Sequence, residues 1–67
     1  MNNLIVNRWS RLAYNIDDAI GPRRLWCSSI KKLDPNIVSV TMASNYLDTI
    51  IEFKSEEHKT WFLLRWS

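Results

Sequence analysis

Apolar residues recur with a helical period over the first twenty positions of the chain. They occur at steps of four, three, four and three or four residues, at Ile5, Trp9, Leu12, Ile16 and Ala19 or Ile20. Polar residues fill the positions between them, so the pattern predicts an amphipathic helix capped by Asn2 or Asn3. A short strand, at residues 4–6 or around residues 12–16, is the alternative interpretation.

A second helix is predicted over residues 22–33. Gly21 suits the position after a helix end, and Pro22 suits the first turn of the next helix. Asp34 and Pro35 end it, because proline cannot continue a helix and restricts the residue before it. Its apolar face is formed by Leu25, Trp26, Ser29, Ile30 and Leu33.

The period then changes to that of a strand. Val38, Val40 and Met42 alternate with Ser39 and Thr41 within residues 37–43. After a polar turn, apolar and polar residues alternate again over residues 48–54, which predicts a hairpin.

Ser55 is the predicted cap of a last helix, with Glu56 and Glu57 in its first turn. The predicted fold is therefore a single α+β domain over residues 1–67. Its elements follow the order α-α-β-β-α, with helices packed on a two-stranded antiparallel hairpin.

A domain of 67 residues buries only about 60% of the surface of its unfolded chain, so its stability is marginal. Cys27 has no second cysteine with which to form a disulfide. We therefore expect added burial through a homodimer, with the last helix or the hairpin edge at its centre.

Aromatic residues crowd the end of the chain, and Trp and Arg are the residue types most enriched at interface hot spots. This predicts a protein interface formed by Trp61, Phe62, Arg65 and Trp66.

Positive charge is concentrated in residues 1–32, where six cations against two carboxylates give +4, although the whole chain carries only +2. These cations form a candidate basic patch that could hold nucleic-acid phosphates. They are Arg8, Arg11, Arg23, Arg24, Lys31 and Lys32.

No catalytic, metal or cofactor site is predicted. Cys27 and His58 are the residues with the most versatile site chemistry, but a cysteine nucleophile needs a base beside it and nothing in their spacing brings them together. Gly-rich phosphate loops and metal-ligand clusters are absent. Without a signal peptide or a long apolar run, we expect a cytoplasmic protein with no membrane contact.

Two stretches resemble small accessory proteins of tailed bacteriophages. They are the Trp26-Cys27 pair and the segment Ile51-Glu-Phe-Lys-Ser-Glu-Glu-His-Lys-Thr-Trp-Phe-Leu-Leu-Arg-Trp66. The resemblance implies a phage-encoded protein in the host cytoplasm that binds and inhibits a host protein or defence factor of unknown identity.

The functional expectation is therefore a small non-enzymatic protein-binding module. Two alternatives remain: a nucleic-acid-binding regulator that uses the basic patch, and a purely structural subunit whose function is its own assembly.

Overall fold

The computed structural model describes residues 2–21 and 26–67 of the chain. They form one α+β domain with the order β1 (Asn3–Asn7), α1 (Arg11–Ile20), α2 (Trp26–Leu33), β2 (Ile37–Met42), β3 (Asp48–Phe53) and α3 (Glu56–Trp66). The sheet is three-stranded and antiparallel, in the order β1-β3-β2. The predicted two-stranded sheet is therefore wrong by one strand, and β1 covers one of the two predicted hairpin edges.

The first predicted helix is a strand followed by a shorter helix. Leu4 and Val6 are buried while Ile5 between them is exposed, which is the alternation of a strand. The alternative of a strand at residues 4–6 is confirmed, whereas a strand around residues 12–16 is wrong, because α1 buries Ala13 and Ile16 there.

The cap of α1 is Ser10, not Asn2 or Asn3. Its hydroxyl oxygen accepts a hydrogen bond from the Ala13 N–H at 3.1 Å and donates to the Asn7 carbonyl at 2.7 Å. The Asn7 side-chain oxygen accepts from the Trp9 N–H at 2.9 Å. These local bonds turn the chain between β1 and α1 without a glycine or proline.

The second predicted helix is confirmed from Trp26 to Leu33. Its predicted beginning at residues 22–25 lies outside the described residues. Ile30 is buried, and Trp26 and Leu33 pack partly against the core. After the helix, the Asp34 carboxylate accepts from the Asn36 N–H at 2.8 Å and begins the turn into β2.

The two predicted strands of the hairpin are confirmed, but β2 contains a bulge. Ile37 pairs with Phe53 and Ser39 with Glu52, which leaves Val38 as an extra residue. The simple alternation predicts Val38 on the same inward face as Val40. Because of the bulge, Val38 is exposed instead.

One face of the sheet carries the core and the other is open. Phe62 of α3 packs on Phe53 of β3 with ring centroids 5.2 Å apart. The predicted Ser55 cap is confirmed, since its hydroxyl accepts from the His58 N–H at 3.4 Å. The buried apolar core consists of Leu4, Val6, Ala13, Ile16, Ile30, Ile37, Ile51, Phe53 and Phe62. No helix in the described part of the chain is long and apolar enough to cross a membrane.

Candidate binding cleft

The predicted interface at the chain end is divided between exposed residues, Trp61 and Arg65, and residues that pack within the domain, Phe62 and Trp66. Phe62 is only 2% exposed, so its ring belongs to the core and offers no contact surface in a single copy of the chain. Trp66 packs partly against the core, and its carbonyl accepts from the Asn15 side chain at 2.8 Å. The Arg65 guanidinium lies 5.2 Å from the Trp66 ring centroid. Of the four predicted residues, Trp61 offers the most open aromatic surface.

The described cations of the predicted basic patch lie on three different segments of the fold. Arg8 lines a cleft beside the first turn of α2, whereas Lys31 and Lys32 lie in its last turn. Arg11 is exposed at the start of α1. Arg23 and Arg24 lie outside the described residues.

The described residues form a cleft of about 930 Å³, which we call the aromatic cleft. Four segments line it: the turn between β1 and α1, the exposed side of α1, the first turn of α2, and the turn between β2 and β3. Its size falls in the range of small-molecule and peptide pockets.

A partly buried polar contact forms the floor of the aromatic cleft. The Trp26 indole N–H donates to the Thr49 hydroxyl oxygen at 2.9 Å, and that hydroxyl lies 3.4 Å from the Met42 sulfur. Val6 and Ala13 of the core also reach the floor. The indole plane is thus held by a hydrogen bond as well as by packing.

Three exposed aromatic side chains stand at the rim of the aromatic cleft. Trp9 is 81% exposed, Tyr14 is 70% exposed and Tyr46 is 71% exposed. Each comes from a different segment, so they converge only in the folded chain. Exposed aromatic side chains gathered at one concave surface are typical of an interaction site.

The two turns that carry Trp9 and Tyr46 are fixed to each other. The Arg8 N–H donates to the Leu47 carbonyl at 2.7 Å. The Asn7 side-chain amide donates to the Asp48 carboxylate at 2.9 Å. The backbone that carries Trp9 and Tyr46 is therefore preorganised, which lowers the entropic cost of binding.

Tyr46 has a left-handed backbone conformation, with φ of 58°. This conformation is uncommon for a residue other than glycine and costs about 1–3 kcal/mol. The surrounding turn maintains it, since the Asn45 side-chain oxygen accepts from the N–H groups of Leu47 and Asp48 at 2.9 and 3.2 Å. A strained position that displays an aromatic ring at a cleft is a candidate for function.

The described lining carries opposite charges, Arg8 and Asp17, together with the thiol of Cys27. His58 is not part of the lining; its Nδ1 lies 2.8 Å from the Ser55 hydroxyl in the first turn of α3. Among the described residues, no group of three or more His, Cys, Asp or Glu side chains could hold a metal ion. The arrangement is suited to holding an apolar group between aromatic rings.

Sequence reasoning missed the rim of the aromatic cleft. The helical period places Trp9 on the apolar face of a long helix, where the nucleic-acid alternative would use it to stack on bases, and assigns Tyr14 and Tyr46 to no site. The Asn7 and Ser10 side chains, which can bond to the nearby backbone, were the available indication of a turn that would expose Trp9.

Comparisons with protein-family models, with curated proteins and with solved structures find no match for this chain.

Proposed function

We propose that the chain is a small protein-binding module and that the aromatic cleft is its contact surface. The observation that carries the proposal is the convergence of Trp9, Tyr14 and Tyr46 around one preorganised concavity. Aromatic residues dominate hot spots because they bury a large area with few rotatable bonds. Their exposure in this domain leaves that area free for a partner.

The chemistry of the aromatic cleft favours a partner segment with an apolar side chain flanked by polar groups. Met42 and Leu47, which are 39% and 40% exposed, offer apolar surface within the lining. Arg8 and Asp17 at the lining give one cationic and one anionic contact for orienting the segment.

The phage-protein resemblance suggests that this partner is a host protein and that binding occludes it. Inhibition by occlusion needs only affinity and bulk, so it places no catalytic demand on the domain. The resemblance rests on residues of α2, β3 and α3, while the contact surface is assigned from the geometry of the aromatic cleft.

A capture experiment with matched exposed residues tests the proposal. Immobilised wild-type protein, Trp9→Ala and Leu64→Ala are each incubated with a bacterial lysate, and a retained protein is then purified for titration. Leu64 is 74% exposed on α3 and does not line the aromatic cleft, so it is the control. We expect Trp9→Ala to weaken binding by about thirtyfold or more, because truncating a hot-spot residue costs about 2 kcal/mol.

A photo-crosslinking residue at position 14 should label the same protein, and one at position 64 should not. Capture of nothing, or a partner that binds wild type and Trp9→Ala equally, would contradict the proposal.

Single-stranded nucleic acid is a second candidate ligand, favoured by the exposed side chains of Arg8, Trp9 and Arg11. Bases stack on exposed aromatic rings while neighbouring cations contact the phosphates. Binding of a labelled oligonucleotide should then fall steeply with salt, and Trp9→Ala should weaken it. If affinity is insensitive to salt, or no binding occurs at low salt, this candidate is excluded.

A further inference from the structure

The outer edge of β1 pairs with no other strand in the described part of the chain. On its inner edge, the Asn2 carbonyl accepts from the Phe53 N–H at 2.9 Å, and the Arg8 N–H donates to the Leu47 carbonyl at 2.7 Å. Hydrogen-bonded pairs in an antiparallel ladder occur at every second residue, so Leu4 and Val6 also bond to β3. The N–H and C=O groups of Asn3, Ile5 and Asn7 therefore point away from β3.

The two edges of the sheet differ in how well they resist pairing with another strand. β2 carries the bulge at Val38, a feature that disrupts an edge ladder. β1 has an unbroken register with β3 and contains no charged residue, proline or bulge. By these criteria β1 is less protected than β2 against pairing with a further strand.

The sequence of β1 is self-complementary about its central residue. In Asn3-Leu4-Ile5-Val6-Asn7, an asparagine stands at each end and a branched aliphatic residue at each inner position. We propose that a second copy of the chain pairs with this edge, antiparallel and centred on Ile5, to form one continuous six-stranded sheet. A two-fold axis then relates the copies, which is the commonest symmetry of a homodimer.

The register of this pairing agrees with the direction of the free backbone groups. Ile5 stands opposite the partner's Ile5, and both residues have outward N–H and C=O groups to exchange. The Asn7 N–H donates to the carbonyl of the partner's Asn3. The Asn7 carbonyl already accepts hydrogen bonds from the N–H and the hydroxyl of Ser10, so it takes no part in the pairing between the two copies.

The same register buries apolar surface on the open face of the sheet. Ile5 is 64% exposed and pairs with Ile50 of β3 on that face. In the dimer, Ile5 and the partner's Ile5 meet at the axis with an Ile50 on either side. Cross-strand pairs of β-branched residues stabilise sheets, and no like charges face each other.

Two edge variants test the proposal. Ile5→Lys places like charges directly opposite each other at the axis, while the exposed side chain leaves the core of each copy intact. Val38→Lys makes the same change at an exposed position on the other edge strand. In sedimentation equilibrium from micromolar to millimolar protein, wild type and Val38→Lys should approach twice the chain mass of 8.0 kDa, and Ile5→Lys should remain at 8.0 kDa.

Amide hydrogen exchange in the wild type provides a readout that does not depend on any variant folding. The Ile5 and Asn7 amides should exchange about tenfold more slowly once roughly nine in ten chains are paired, because exchange then requires dissociation. The Leu4 and Val6 amides, bonded to β3 within one copy, are the reference. A constant monomer mass, loss of the dimer in Val38→Lys but not in Ile5→Lys, or Ile5 exchange independent of concentration would each overturn the proposal.

Discussion

The indole N–H of Trp26 donates to the hydroxyl oxygen of Thr49 at 2.9 Å, which joins the first turn of α2 to the central strand. Thr49 is the only polar residue among the buried ones in the described chain. The bond lets a polar hydroxyl occupy the inward face of β3, and it fixes a tryptophan at the floor of the aromatic cleft.

Replacing Thr49 by valine should lower the free energy of unfolding by about 1 kcal/mol. The substitution keeps the shape of the side chain but removes the acceptor of the Trp26 N–H, and a typical net hydrogen bond contributes that amount. Urea denaturation monitored by tryptophan fluorescence measures the change. Thr41→Val, on the exposed side of β2, is the control and should stay within about 0.5 kcal/mol of wild type. Equal losses in the two variants would mean that the bond contributes nothing.

Phe62→Ala should remove most of the stability of the domain. Phenylalanine-to-alanine changes in a core cost about 3–5 kcal/mol, while a domain of this size has roughly 3–10 kcal/mol in total. Leu64→Ala, two residues along the same helix but exposed, should cost about 0.5 kcal/mol or less. Circular dichroism during thermal unfolding distinguishes them. A cooperative Phe62→Ala transition close to that of wild type would return Phe62 to the list of interface candidates.

The later part of the fold was predictable because each element has a local boundary. The break after Gly21, the turn at Asp34 and the Ser55 cap all act within a few residues. The first twenty residues were not predictable in this way, because Ile5 and Trp9 happen to match the helical period across a turn.

The aromatic cleft was less predictable than the fold, because it depends on contacts between distant residues. Pairing of β1 with β3 brings the turn that carries Trp9 beside the turn that carries Tyr46. No spacing of residues in the sequence predicts that these two turns lie side by side. Abundant aromatic residues indicated an interaction surface, but burial of Phe62 and exposure of Trp9 are decided by packing.

Ser10→Ala should destabilise the domain by about 1 kcal/mol, the usual cost of removing an N-cap. The variant loses the bond to the Ala13 N–H and the bond to the Asn7 carbonyl. Asn3→Ala is the informative comparison, since Asn3 would be a cap if one helix covered the whole segment. We expect that variant to remain within about 0.5 kcal/mol in urea denaturation at low protein concentration. If Asn3→Ala lost more stability than Ser10→Ala, the result would support a single helix over this segment instead of β1 and α1.

Variants at Tyr46 should distinguish the effect of this residue on stability from its effect on binding. Glycine adopts the left-handed backbone conformation at position 46 without a steric cost, whereas alanine adopts it only at a cost. The free energy of unfolding of Tyr46→Gly should therefore exceed that of Tyr46→Ala by about 1 kcal/mol. Both variants lack the ring, and both should bind a partner of the aromatic cleft more weakly than wild type does. Urea denaturation gives the first comparison, and titration with the captured partner gives the second. Equal stability of the two variants would show that position 46 stores no strain. Equal binding by wild type and both variants would show that the Tyr46 ring makes no contact with the partner.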